Sequence, residues 1–253
     1  MLVDLAYKVA SVPQSQSIYT GVRKIVQGMT FETNSLPEVD LSSLGYRGVG
    51  DGKIRQLIRN YWNQDHIDAA LTKLKARKDS PHTSVAVSCE GEKKSTKSQG
   101  FCLRSVIITQ TPKKLEADIV YRSTEVIQKF TADLVLLPKI FEALEVKPQK
   151  IRFYFANAFL SALYFPSLFL NVNPIHYLEQ LKVHDPKFYR TAINAFAKFL
   201  ETECRYQYRQ RVYQYQVAQS LDLDLLNDYC KLNGASFVAR ETVKELLEEG
   251  SED

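Results

Sequence analysis

"GFCLRSVIITQTPKKLEADIVYRSTEVIQKFTAD", residues 100–133, decides the fold. Two apolar runs, "FCLRSVIIT" (101–109) and "LEADIVYRS" (115–123), flank the polar turn "TPKK". Both alternate with a period of two and carry β-branched residues, which predicts two strands joined as a hairpin. "ADLVLLPKIFEALE" (132–145) has helical spacing, and Pro138 within it predicts a late start or a kink. Three chemically capable side chains sit in this stretch: Cys102, then Arg122 after 20 positions (122 − 102), then Asp133 after 11 more (133 − 122). Each also has a plain structural use. Cys102 can be a small buried hydrophobe. Arg122-Ser123 can close a strand end with a salt bridge, and Asp133 can cap the helix that follows.

Outward from this stretch, the chain alternates helices and strands. Residues 53–77 read as a helix, with Leu57, Ile58, Tyr61, Trp62, Ala69, Leu71 and Leu74 at helical intervals. "TSVAVSC" (83–89) reads as a strand, and "EGEKKSTKSQG" (90–100) as a charged loop. "KIRFYFANAFLSALYF" (150–165) is an aromatic strand followed by a turn or short helix, and residues 186–219 form a long helix. Residues 221–248 give one or two further helices, and "MLVDLAYKVA" a short one at the start. "GYRGVGDG" (45–52) is a glycine-rich loop without the spacing of a phosphate-binding P-loop. The order implies an α+β fold, a sheet with flanking helices, as a single domain over residues 1–253.

A net charge of +4 over 253 residues permits an anionic ligand without demanding nucleic acid. The four cysteines, Cys89, Cys102, Cys204 and Cys230, form no CxxC pair and stand clear of histidines, so no structural metal is expected. Free thiols point to a reducing, cytoplasmic setting. No signal peptide and no run of about 18 apolar residues is present, which argues against a membrane span.

The two intervals carry a resemblance. A nucleophilic Cys, an Arg-Ser pair and a base-reading Asn stand at the same spacings in thymidylate synthases, and this chain resembles that superfamily over about residues 44–168. Asp133 replaces the Asn, as in the deoxycytidylate hydroxymethylase branch. Leu103 follows the cysteine in place of a His. "WNQDHIDAALTKLKARKDS" is similar to the family's helix before its DSRR segment, and "SALYF" to its sugar-binding HxY segment, with Tyr164 on the Tyr and Ala162 on the His. DSRR itself is replaced by "DSPHT" (79–83), so two phosphate-binding guanidinium groups are missing. Asp4 and Glu32 are the candidates for the catalytic Glu, and the part after residue 168, including 186–248, departs from the family.

The resemblance implies a homodimer and a folate-dependent transfer, with 5,10-methylenetetrahydrofolate as cofactor and a cytosine nucleotide such as dCMP or CMP as substrate. The product would be a C5-hydroxymethyl or C5-methyl nucleotide. Cys102 would add to the ring as a nucleophile, and Asp133 would read the base by accepting from its 4-amino group. Arg122 and Ser123 would bind the phosphate, Tyr164 the sugar, His82 part of the lost phosphate contact, and Glu125 the folate. The alternative is a non-catalytic relative that binds a nucleotide, a nucleic acid or a protein. The Arg/Tyr run "CRYQYRQRVYQYQ" would then offer a surface for single-stranded nucleic acid, although a solvated helix face is the commoner use of such a run.

Overall fold

The sheet is built from the inside of the chain outward. In the computed structural model, which describes residues 1–37, 55, 59, 61–77, 80–89, 102–163, 165, 174–209 and 223–235, six strands are arranged β1-β2-β6-β5-β4-β3. They are β1 (Ile18–Thr20), β2 (Arg23–Thr33), β3 (Thr83–Ser88), β4 (Leu103–Gln110), β5 (Leu115–Glu125) and β6 (Lys150–Ser161). Six α-helices lie among the described residues: α1 (Leu2–Ala10), α2 (Gln64–Ala76), α3 (Gln128–Ala143), α4 (Ile175–His184), α5 (Pro186–Arg209) and α6 (Leu223–Leu232). The architecture is mixed α/β around one mixed sheet.

The hairpin expected from residues 101–123 is present. β4 and β5 pair antiparallel, from Gln110 with Leu115 to Leu103 with Tyr121. The turn is tied by the Thr111 N–H to the Lys114 carbonyl at 2.9 Å and by the Lys114 N–H to the Thr111 hydroxyl at 3.1 Å. β3 adds antiparallel to β4, and β6 adds parallel to β5, with α3 as the connection between β5 and β6. The parallel step follows from that helix, since a parallel pair needs a long crossover.

The chain divides into two compact units, Val26–Phe159 with Met1, and Leu2–Ile25 with Leu160–Asp253. In the first, α2 packs on β3, and α3 on β5. Ala117, Ile119 and Tyr121 of β5, Val106 and Ile108 of β4, and Phe153 and Phe155 of β6 are buried on the face those helices cover. An aromatic cluster fills the centre. Phe130 of α3 meets Phe153 edge-on at 5.2 Å between centroids and Tyr121 at 5.8 Å, while Phe153 and Phe155 stack nearly parallel. In the second unit, Phe165 meets Phe188 and Phe196 of α5 edge-on.

Five elements differ from the sequence reading. α2 begins at Gln64 because the Asn63 side chain accepts from the His66 N–H at 3.1 Å, which caps the helix and breaks the run read as continuous from residue 53. α3 begins at Gln128, four residues before the expected start, and passes through Pro138. Asp133 therefore lies within the helix and is not its N-cap. Strands β1 and β2 and helix α4 were not expected at all. The loop at 90–100, the glycine-rich loop at 45–52 and the Arg/Tyr side chains of residues 205–215 lie outside the described residues. No helix among the described residues is long and apolar enough to cross a membrane.

Candidate functional site

Cys102 stands just before the first residue of β4, half-buried, as a free thiol. Its backbone is held from both sides: its N–H donates to the Tyr61 hydroxyl at 3.2 Å, and its carbonyl accepts the Arg122 N–H at 2.9 Å. The β4–β5 pairing thus puts Cys102 and Arg122 side by side although 20 positions separate them. Arg122 is exposed and Ser123 half-buried, both near the end of β5. The Arg122 carbonyl also accepts from the Asn157 amide at 3.5 Å.

Asp133, 3% exposed, reaches the same region from the second turn of α3. Burial pushes its carboxyl up to about 8, with the Tyr121 hydroxyl and the more distant Lys129 pulling the other way. Oδ2 of Asp133 and the Tyr121 hydroxyl are both buried without a hydrogen bond of ordinary geometry among the described residues. The field of this acid is felt by all its neighbours. Burial raises the Tyr61 hydroxyl, and the charges of Asp133 and Cys102 raise it further. Burial, then Asp133, push the Cys89 thiol up to about 12, so Cys89 is an inert thiol. Tyr61 thus contacts the Cys102 backbone and also senses the Asp133 charge.

Glu125 is buried at the end of β5, and its Oε2 accepts the Ile127 N–H at 3.1 Å, closing the turn into α3. His82 is exposed on the approach to β3, where its carbonyl accepts from the Ser80 hydroxyl at 3.0 Å. Tyr164 lies outside the described residues, and Ala162 is buried. Glu32 is exposed and ion-paired with Lys150 at 2.8 Å. Lys150 is opposite Glu116, so Glu32 sits at the far end of β5 from Arg122, roughly 20 Å along the strand. Asp4 is exposed on α1, in the other unit.

The structure therefore brings Cys102, Arg122 and Asp133 to one end of the β4–β5 hairpin, and keeps Glu32 away from it. Sequence reasoning missed Tyr61, Tyr121 and Cys89, which surround Asp133. Tyr61 had been counted only as part of an apolar helix stripe. Among the described residues no cluster of three or more His, Cys, Asp or Glu is placed to hold a metal ion. No protein-family model matches the chain, and no curated protein matches it in sequence.

Proposed function

We propose that this chain is a divergent relative of the thymidylate synthase and deoxycytidylate hydroxymethylase superfamily that activates carbon 5 of a cytosine nucleotide through a covalent adduct with Cys102. The observation that supports this reading is the meeting of Cys102, Arg122 and a buried, cation-poor Asp133 at one strand end, where the Tyr61 hydroxyl accepts from the Cys102 backbone N–H and lies in the field of Asp133. The Cys102 thiolate adds to carbon 6, and the electron pair of the 5,6 double bond moves to carbon 5. Carbon 5 then bonds to a one-carbon electrophile, the carbon 5 proton leaves, and the thiolate is expelled from carbon 6. This divides one hard substitution into easier steps.

Asp133 acts as the base reader in a form the sequence did not suggest. With its carboxyl raised to about 8, it carries a proton at neutral pH. A carboxylic acid presents a donor beside an acceptor, which complements ring nitrogen 3 and the 4-amino group of cytosine. An ionised carboxylate would set a second acceptor against nitrogen 3. Arg122, exposed beside the thiol, supplies the cation for a nucleotide phosphate and for a thiolate.

By resemblance, 5,10-methylenetetrahydrofolate would supply the one-carbon unit. Glu125 is the residue the resemblance assigns to it, yet that side chain is buried and turned onto its own chain at Ile127. It fits a turn-closing role and does not fit a folate contact, so no step is derived through the cofactor. A second reading, a nucleotide-binding relative without turnover, is favoured by the position of Glu32, which cannot serve the thiol from the far end of β5.

The test is release of tritium from C5-labelled dCMP, CMP, dUMP and UMP with the folate present. Cytosine-selective release that falls at least about 10³-fold in Cys102→Ser supports the reading. Equal release by wild type and variant refutes it. Saturable binding of a cytosine nucleotide with no release by the wild type selects the second reading.

A further inference from the structure

A second site lies at the β3–β4 pair, beside α2. Along β3, the side chains of Val85 and Val87 point to the helix-covered face, and those of Ser84, Ala86 and Ser88 to the opposite one. Ser88 is paired with Ser105 of β4, so their hydroxyls lie side by side on that second face. The β4–β5 register slips between Leu103 and Ser105, making Arg104 the extra residue of a β-bulge. Bulges re-aim side chains, and Arg104 is thrown outward to an exposed position. From α2, which packs on β3, His66 and Lys73 stand seven positions apart, two helical turns along one row.

These five residues line one cavity of about 360 Å³, with alanines and a valine as its floor and no carboxylate among the described residues of its lining. Its size falls within the range of small-molecule sites. Neither the Lys73 ammonium nor the His66 imidazole has an ion pair or hydrogen-bond partner among the described residues. The nearby acid of α2, Asp68, is occupied by the Gln64 amide at 2.8 Å. An arginine, a lysine, a histidine and two adjacent serines line this one space. That donor set suits a tetrahedral oxyanion, and no carboxylate among the described lining residues would repel one.

We propose that this groove binds the phosphate group of a small phosphorylated molecule, with Arg104 and Lys73 as the charged clamp and Ser88, Ser105 and His66 as further donors. The modest volume favours a small ester over a polymer, which would need a charged track extending past the groove. The site is independent of the Cys102 reading, because Cys102, Arg122 and Asp133 are not among the described residues that line it.

Calorimetric titration with inorganic phosphate and with a small sugar phosphate tests it, using wild type, Lys73→Gln, Arg104→Gln and the control Lys139→Gln. Lys139 is exposed on α3 and removes the same charge elsewhere. The expected result is saturable wild-type binding, weakened about tenfold or more by either groove substitution and less than about twofold by the control. Lys73→Gln decides the matter if Arg104→Gln disturbs the bulge, since Gln is a good helix former at an exposed helical position. The proposal is overturned by no saturable binding at about 10 mM ligand, or by equal losses in all three variants. It is also overturned if only a single-stranded oligonucleotide binds, with a steep salt dependence shared by the control.

Discussion

Asp133 and Asp185 are both buried aspartates, one in each unit, and they have opposite surroundings. Asp185 is fully enclosed by donors. The Lys24 ammonium contacts it at 2.6 Å, the Tyr19 hydroxyl donates to it, and the Phe188 N–H reaches its other oxygen at 2.9 Å. Burial alone would raise this carboxyl, but the bonds from Lys24, Tyr19 and Phe188 outweigh it and hold it below the ordinary range. Lys24 is itself fully satisfied, donating also to the carbonyls of Ala10 and Val12. Among the described residues Asp133 has the Tyr121 hydroxyl and the more distant Lys129 to pull it down, and burial raises its carboxyl to about 8. A buried acid with every oxygen satisfied is a joint: Asp185 caps α5, just ahead of Pro186. A buried acid left short of partners is a place where a ligand can complete the pairing.

Removing the cation from the joint should have the largest effect. Lys24→Met leaves Asp185 buried and uncompensated, and urea denaturation should show a loss of about 3–5 kcal/mol. The double variant Lys24→Met/Asp185→Leu should recover much of that, since paired removal strands no charge. A loss below about 1 kcal/mol in the single variant would mean that the joint is not closed as described.

The two acids also depend on pH with opposite sign. Asp185 has a lowered folded pKa, so its contribution is present above the unfolded carboxylate value and is lost as pH falls through the folded one. Asp133 has a raised folded pKa. Its protonated form supports the fold fully below about pH 4, and stability falls between about pH 4 and about pH 8, by at most about 6 kcal/mol. Asp133→Asn should therefore stabilise the chain at pH 9 by about 2–3 kcal/mol, after the amide's own desolvation, and leave it nearly unchanged at pH 4. Thermal melts at the two pH values check this.

The smallest effect sharpens the same contrast. Tyr121→Phe removes a buried hydroxyl that makes no ordinary hydrogen bond among the described residues. Stability should change by less than about 1 kcal/mol. The Asp133 titration should move further upward, because Tyr121 is one of the groups that pull it down. A downward move would show that the hydroxyl acts on Asp133 in the other direction.

The joint and the site were not equally legible in the sequence. Asp185-Pro186 is a helix start that residue type alone announces, and the long helix was expected at Pro186. The β4–β5 hairpin was legible because period-two alternation and a turn agree over residues 101–123. β2 was hidden for a physical reason. Gly28, with φ of +62°, shifts the inward face between Val26 and Met29, and an inward Lys24 breaks the apolar pattern. α4 was hidden because it is short and ends directly against α5. Around the candidate site, the intervals found Cys102, Arg122 and Asp133, but spacing carries no burial. The protonated state of Asp133 comes from its burial, against the downward pull of Tyr121 and Lys129, and no local sequence pattern reveals that burial.

The most direct test is the side-chain carboxyl titration of Asp133, followed by carbon NMR on aspartate-labelled protein and assigned with Asp133→Asn. The account expects a midpoint near pH 8, with the Asp185 resonance in the same spectra titrating below the ordinary carboxylate range. A midpoint for Asp133 near pH 4, the ordinary carboxylate value, would contradict it.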